Sequence, residues 1–241
     1  MTSALVLAHG AGGSVRANFS PLIPVLSRTR RVFSVDYPGS GSTPRATGPL
    51  SLDDLADRVV AAAGDTPTFA VLGYSLGCAV AVRAAVRHPE RVTGLVLTSG
   101  FVRVDDETRA RIDTWRRLLA AGDPMELARF QMSVVLGEPF ERAMPAAQRE
   151  GFLELMSLTV PPGTDQQIDL VRRVDLSDDA PRVAVPTLVI GTKHDRLITP
   201  SSTRALADAI PGARWAELDS GHAPSLEAPT EWIRLVEEFL G

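Results

Sequence analysis

Ala70-Val71-Leu72-Gly73-Tyr74-Ser75-Leu76-Gly77 is an apolar strand running into a G-x-S-x-G pentapeptide. The segment that follows, Leu76 to Arg87, is rich in Ala and Val and stops before Pro89, the composition of a buried helix. A strand that turns sharply into a helix exposes the side chain at its apex. The two glycines leave room where any Cβ would crowd the neighbouring strand and helix. The turn also sets the Leu76 amide at a helix N-terminus, where negative charge is stabilised. A glycine-rich turn with an incidental serine would require none of this context. Pentapeptide, strand and helix together mark Ser75 as the candidate nucleophile.

Similar short apolar runs lie on both sides: Ala4–Ala8, Val32–Val35, Leu95–Thr98, Thr187–Ile190 and Arg214–Leu218. Most are continuously apolar, as in strands covered on both faces, and amphipathic stretches separate them. Ser51 and Asp54 form a capping pair ahead of Leu52, Leu55, Val59 and Val60. Trp232, Leu235, Val236 and Phe239 recur at helical spacing between Pro229 and Leu240. This alternation predicts an α/β fold with a mostly parallel sheet of about six strands flanked by helices.

Between Phe101 and about Val183 the alternation stops. Ile112, Trp115, Leu118 and Leu119 read as one helix, Leu127, Phe130 and Val134 as a second, and Phe152, Leu155, Met156 and Leu158 as a third. Gly122-Asp123-Pro124, Gly137-Glu138-Pro139 and Pro161-Pro162-Gly163 punctuate them. Roughly eighty residues is far more than a crossover needs. Residues 101–183 are therefore expected to form a helical cap, inserted into a core made of 1–100 and 184–241. The aromatic residues Trp115, Phe130 and Phe152 are expected in packing more than in lining a pocket.

A chain of 241 residues, 44% hydrophobic and 22% charged, can bury a large core without metal or disulfide. The net charge of −4 gives no reason to expect nucleic acid or an anionic membrane as partner. The single cysteine, Cys78, excludes an intrachain disulfide and a cysteine-clustered metal site; it reads as a small core residue. Met1–Gly10 lacks a basic n-region, its apolar run is short, and no segment approaches the ~20 apolar residues of a membrane span. The expectation is a cytoplasmic protein that acts on a small molecule without cofactor or metal.

A serine hydroxyl needs a base within hydrogen-bond reach. Of the four histidines, His9 lies in the turn after the first strand, His88 at a helix end before Pro89, and His194 beside Asp195 in a loop. His222, in Asp219-Ser220-Gly221-His222-Ala223-Pro224, follows the last strand and so reaches the same sheet rim as Ser75, where parallel sheets bind ligands. Asp195, in Ile190-Gly191-Thr192-Lys193-His194-Asp195-Arg196, follows another strand to that rim and could orient the imidazole.

In the order Ser75, Asp195, His222, with G-x-S-x-G on a strand-to-helix turn, the chain resembles the α/β-hydrolase superfamily in its smaller cap-bearing branch of serine esterases, lipases and thioesterases. The resemblance covers about 1–100 and 184–241. It implies a catalytic triad of Ser75, Asp195 and His222. It also implies an oxyanion hole from the Leu76 amide and one in His9-Gly10-Ala11-Gly12-Gly13, with Ala11 the donor and Gly12 the fallback. About 3–4 kcal/mol is at stake per donor. That glycine-rich loop lacks the Gly-Lys-Ser/Thr of a phosphate cradle. Asp36, in the Asp36-Tyr37-Pro38-Gly39 loop, reads as structural. Many members have an antiparallel hairpin before the His-Gly strand. Its absence ahead of Ala4 leaves Arg31–Asp36 an expected edge that needs a cover or a partner, so a monomer or a homodimer is expected.

The chemistry expected is hydrolysis of an ester, thioester or lactone through an acyl-enzyme on Ser75. Relatives with similar residues also carry out C–C bond hydrolysis, lyase or cyclase steps and perhydrolysis. Halide release and epoxide opening are disfavoured, since those relatives have Asp where this chain has Ser75. A reading of another class is a ligand receptor that keeps the triad without turnover.

Overall fold

The computed structural model describes residues 4–241. Six strands, β1 (Ala4–Ala8), β2 (Arg31–Ser34), β3 (Phe69–Tyr74), β4 (Val92–Thr98), β5 (Thr187–Thr192) and β6 (Arg214–Leu218), form one parallel sheet in the order β2-β1-β3-β4-β5-β6. β1, β3 and β5 are buried at every position, which is why their sequences are continuously apolar. β2 is an edge, as expected, and Arg31 lies 4.9 Å above the Phe33 ring, a charge that discourages pairing with a further strand. The strand ends one residue sooner than the Val32–Val35 run suggests. Beyond Ser34 the chain turns away, and Asp36 Oδ1 accepts the Val15 amide at 2.7 Å, the structural role expected of it.

Alternate strand residues point to opposite faces. Val6, Val71, Leu95 and Val189 pack with α3 (Leu52–Ala62), α4 (Leu76–Arg87) and α10 (Pro200–Ala209). Leu5, Leu7, Leu72 and Val96 pack with α1 (Val15–Phe19), α2 (Ile23–Leu26) and α12 (Pro229–Leu240). The Ser51 hydroxyl caps α3 by accepting the Asp54 amide. α4 is buried without a break from Leu76 to Val82. At about 2 kcal/mol for each buried Val or Leu, that packing makes the start of α4 a rigid platform.

Between β4 and β5 stand five helices: α5 (Asp106–Ala121), α6 (Pro124–Val135), α7 (Glu138–Ala143), α8 (Ala146–Leu158) and α9 (Thr164–Arg173). The sequence patterns named three. Gly137-Glu138-Pro139 reads as a break but opens α7, because a proline in a helix's first turn removes only an amide that has no helical partner. α9 is mostly polar, with Ile168, Leu170 and Val171 its apolar signal. α8 lays Phe152, Leu153 and Met156 against Met132, Leu136 and Met144, which leaves Leu155 57% and Leu158 76% exposed on its outer side. A four-residue α11 (Pro224–Glu227) precedes α12. Among the described residues no helix is long and apolar enough to cross a membrane.

The strand order locates the site. From β1 the chain moves outward to β2, then crosses back to β3 on the other side of β1. Connections that leave neighbouring strands in opposite directions open a crevice at the carboxyl ends. The His9–Ser14 loop follows β1 and Ser75 follows β3, so both edges of that crevice carry residues singled out by sequence.

Candidate active site

Ser75 sits at the apex between β3 and α4 with φ 54° and ψ −119°, a left-handed conformation that a side chain tolerates only when its surroundings impose it. They do. Its amide donates to the Thr98 carbonyl at 2.9 Å. A Cβ at Gly73 would overlap the Gly77 carbonyl, and one at Gly77 would overlap the Ala8 carbonyl of β1. Tyr74, the variable residue before the serine, donates its hydroxyl to the His222 carbonyl.

Three side chains from three loops meet at this apex. His222 Nε2 lies 3.1 Å from Ser75 Oγ, and Nδ1 lies 2.7 Å from Asp195 Oδ2. A carboxylate only accepts, so Nδ1 carries the proton and Nε2 is left to accept from the serine hydroxyl. Asp195 is held by four hydrogen bonds. Oδ1 accepts the Leu197 and Ile198 amides, both at 2.9 Å, while Oδ2 accepts Thr192 Oγ1 at 3.0 Å and His222. Thr192 Oγ1 in turn lies 2.9 Å from Ser99 Oγ, extending the chain one residue further. Ser75, Asp195 and His222 are only 7%, 6% and 3% exposed, so little water competes for these bonds.

The loop after β1 packs against the serine: a Cβ at Gly10 would lie 3.2 Å from Ser75 Cβ. Its amides have different fates. Gly10 donates to Asn18 Oδ1 at 3.0 Å and Gly12 to Gln167 Oε1 at 2.8 Å. Among the described residues the Ala11 amide between them, like the Leu76 amide, has no protein acceptor. Of the two candidates for the one donor expected in this loop, the fallback Gly12 is committed elsewhere.

The remaining histidines are occupied. His88 Nε2 lies 2.7 Å from Asp57, and His194 Nε2 lies 2.8 Å from Asp219 on the exposed side of the loop. His9 is fully buried, stacked 3.9 Å from the Tyr37 ring. Its Nδ1 donates to the Gly10 carbonyl at 2.7 Å and its Nε2 accepts the Tyr37 amide at 2.9 Å, a pairing only the neutral ring can make. Burial pushes its pKa down to about 4, against the raising pull of the Gly10 carbonyl and Asp36.

Because the unfolded chain takes up this proton near pH 6.5, the stability His9 contributes is complete above that value and is lost as pH falls towards 4. At about 1.4 kcal/mol per pH unit, the loss over the interval is about 3 kcal/mol. Urea unfolding between pH 7 and 4.5 is expected to show this slope in the native chain and a shallower one in His9→Asn. Equal slopes would assign the acid sensitivity to other groups.

Cys78 is buried, and burial pushes its thiol well above the ordinary range, so it packs and does not react. Trp115 packs over Gly12, Phe130 flanks the main core, and Phe152 lies in the small α6–α8 cluster. Sequence reading missed several residues that support the site. Glu227 Oε2 accepts both the Gly221 amide beside His222, at 2.8 Å, and the Gly137 amide ahead of α7, at 3.1 Å; burial raises its pKa. Arg196 Nη2 reaches the Leu136 carbonyl and Glu141 of α7, both at 2.6 Å. Asn18, Ser99, Thr192 and Gln167 complete the set. Only Ser99 and Thr192 had a signal, a hydroxyl directly at a strand's carboxyl end.

Comparison with known proteins agrees with this architecture. The family model described as alpha/beta hydrolase fold matches residues 3–229. The chain is 32% identical to the pyrrolizixenacetamide deacetylase of Xenorhabdus hominickii, over 98% of this chain and 90% of that protein. It is 31% identical to a pimeloyl-[acyl-carrier protein] methyl ester esterase of Neisseria meningitidis serogroup C, over 97% and 92%. The enol-lactonase from Burkholderia xenovorans LB400 superposes with a TM-score of 0.84 at 26% identity, covering 100% of this chain and 92% of that one.

Proposed function

This chain belongs to the α/β-hydrolase family, and we propose that it is a serine hydrolase that cleaves an ester, thioester or lactone of a small molecule through an acyl-enzyme on Ser75. The observation that carries the reading is the hydrogen-bonded chain from Ser75 through His222 to Asp195, beside two amides without protein acceptors. The names of the three relatives describe removal of an acetyl group, cleavage of a methyl ester and opening of a lactone, all reactions at an acyl carbon.

In this mechanism Ser75 Oγ attacks the acyl carbon while its proton passes to His222 Nε2. Asp195 stabilises the imidazolium and holds the tautomer. The carbonyl oxygen, now negative, is received by the Leu76 and Ala11 amides, each worth about 3–4 kcal/mol in the transition state. The tetrahedral intermediate collapses, and Nε2–H protonates the departing alkoxide or thiolate. Water then gives a proton to Nε2 and attacks the acyl-enzyme. Collapse of the second intermediate releases the acid, and Ser75 regains its proton.

Residues 101–183 act as the cap over a core of 1–100 and 184–241, a reading supported by Trp115 packing on the oxyanion loop and by the low exposure of Ser75. A fluorophosphonate probe offered to the native protein is expected to label Ser75, located by peptide mapping, and to label His222→Ala far more slowly. Native protein that stays unlabelled at Ser75 would remove the reading and favour a non-turnover receptor.

A further inference from the structure

Gln167 lies on α9, far from every sequence motif, and its side chain is fully buried between two loops of the core. Each polar atom has a fixed partner. Oε1 accepts the Gly12 amide at 2.8 Å, while Nε2 donates to the Pro38 carbonyl at 3.1 Å and to Ser40 Oγ at 2.9 Å. An amide donor on one side and a carbonyl acceptor on the other settle which end of the carboxamide is oxygen. The helix that carries it is docked without slack. The Gly163 amide, just before α9, donates to the Gly39 carbonyl at 3.0 Å, and a Cβ at either glycine would overlap the other's backbone.

We propose that Gln167 is a positioning residue for the oxyanion hole: by holding the Gly12 amide it sets the Gly10-Ala11-Gly12 turn so that, of these three amides, the one of Ala11 joins that of Leu76 in facing the reacting carbonyl. Three consecutive amides enter this turn. Asn18 on α1 takes the first and Gln167 takes the third, so the peptide planes on both sides of the Gly10–Ala11 plane, which carries the Ala11 amide, are pinned. Preorganised donors stabilise an oxyanion because they need no reorientation when charge develops. One pin comes from the core; the other comes from the helical insertion, 155 residues away in sequence. Docking of the insertion and assembly of the oxyanion hole are thereby one event, and a loosened insertion costs catalysis as well as substrate fit.

The test rests on the serine-hydrolase reading and compares p-nitrophenyl acetate with its thiono analogue, in which sulfur replaces the carbonyl oxygen. Sulfur is larger and a weaker acceptor, so the ester-to-thionoester ratio of kcat/KM reports the oxyanion hole and is insensitive to packing elsewhere. Gln167→Met, checked for native circular dichroism, is expected to lower kcat for the ester about ten- to a hundredfold with KM within about twofold, and to lower the ratio. Gln167→Glu keeps an oxygen for the Gly12 amide and is expected to retain the ratio, although its donors are gone. If Gln167→Met does not fold, Gln167→Asn draws the carboxamide back by one methylene and is expected to lower the ratio in the same direction. A folded Gln167→Met or Gln167→Asn with native kcat and ratio, or a Gln167→Glu that loses the ratio as fully as Gln167→Met, would overturn the proposal. Ser75→Ala measured alongside keeps the two questions apart. Turnover that survives there defeats the serine reading itself, whereas an unmoved ratio at position 167 defeats only the role of Gln167.

Discussion

Ser75→Ala is expected to lower kcat/KM for an activated ester on the order of 10⁵–10⁶-fold while the protein remains folded, and His222→Ala to do nearly the same, because nucleophile and base act as a unit. A residual rate above that in water should persist, since the Leu76 and Ala11 amides remain. Asp195→Asn is expected to cost about 10⁴-fold for a reason visible in its hydrogen bonds. The Leu197 and Ile198 amides require oxygen at the Oδ1 position, so the new amide nitrogen must take the place of Oδ2 and donate to His222 Nδ1. That forces the proton onto Nε2, where it can no longer be received from Ser75. Steady-state kinetics with a thermal melt of each variant checks this; undiminished turnover in folded Ser75→Ala would defeat the assignment.

The same position carries a stability prediction. At φ 54° Ser75 stores backbone strain of about 1–3 kcal/mol, and Ser75→Ala retains it. Ser75→Gly relieves it but adds freedom to the unfolded chain worth about 0.5–1 kcal/mol. Ser75→Gly should therefore be the more stable of the two inactive variants by about 1 kcal/mol, read as a higher urea midpoint. Equal midpoints would mean that the turn is not strained.

Gly77→Ala is expected to give the largest loss of stability from a single methyl group. The added Cβ would overlap the Ala8 carbonyl carbon and oxygen, and it meets the His9 carbonyl oxygen at 2.9 Å. All of these are backbone atoms of β1 and the turn after it, so no side chain can move aside to relieve the overlap. α4 cannot retreat either, being buried along its first two turns. The cost should exceed about 4 kcal/mol, a large share of the 5–15 kcal/mol typical of a folded domain. Gly64→Ala is the control: φ is 53° there, but nothing lies within 4 Å of a new Cβ. It should cost only about 1 kcal/mol of backbone strain. Chemical denaturation of both variants, or recovery of Gly77→Ala only in inclusion bodies, checks the contrast. Gly77 itself has a helical φ, so similar losses at the two positions would show that the close approach of α4 to β1 is not what requires glycine at 77.

How far the sequence could be read follows from the range of each interaction. The strands were legible because burial on both faces writes an unbroken apolar run, as in Phe69–Leu72. α4 and α12 were legible because a proline stops one and helical spacing marks the other. The strand-to-helix turn at Ser75 was legible for the same local reason: its glycines, its apex and its helix lie within a few residues. α7 and α9 were not, since one opens on a glycine and a proline that resemble a break and the other is polar for most of its length.

By itself, then, the sequence determined the parallel α/β architecture, the apex at Ser75, and the arrival of Asp195 and His222 on the same rim. Each of these follows from short-range periodicity and from the rule that a parallel sheet gathers its strands' carboxyl ends on one side. Only the tertiary structure decided that the Gly10 and Gly12 amides are committed while the Ala11 amide between them is not. It alone showed that Tyr74 tethers the His222 loop, and that Glu227 and Gln167 tie the inserted helices to the loops that carry His222 and Ala11. Those contacts join residues up to 155 positions apart, and a buried carboxamide in a helix looks the same in sequence as one exposed to water. What selects its partners is the space left when the helices close over the sheet, and that space exists only in the folded chain.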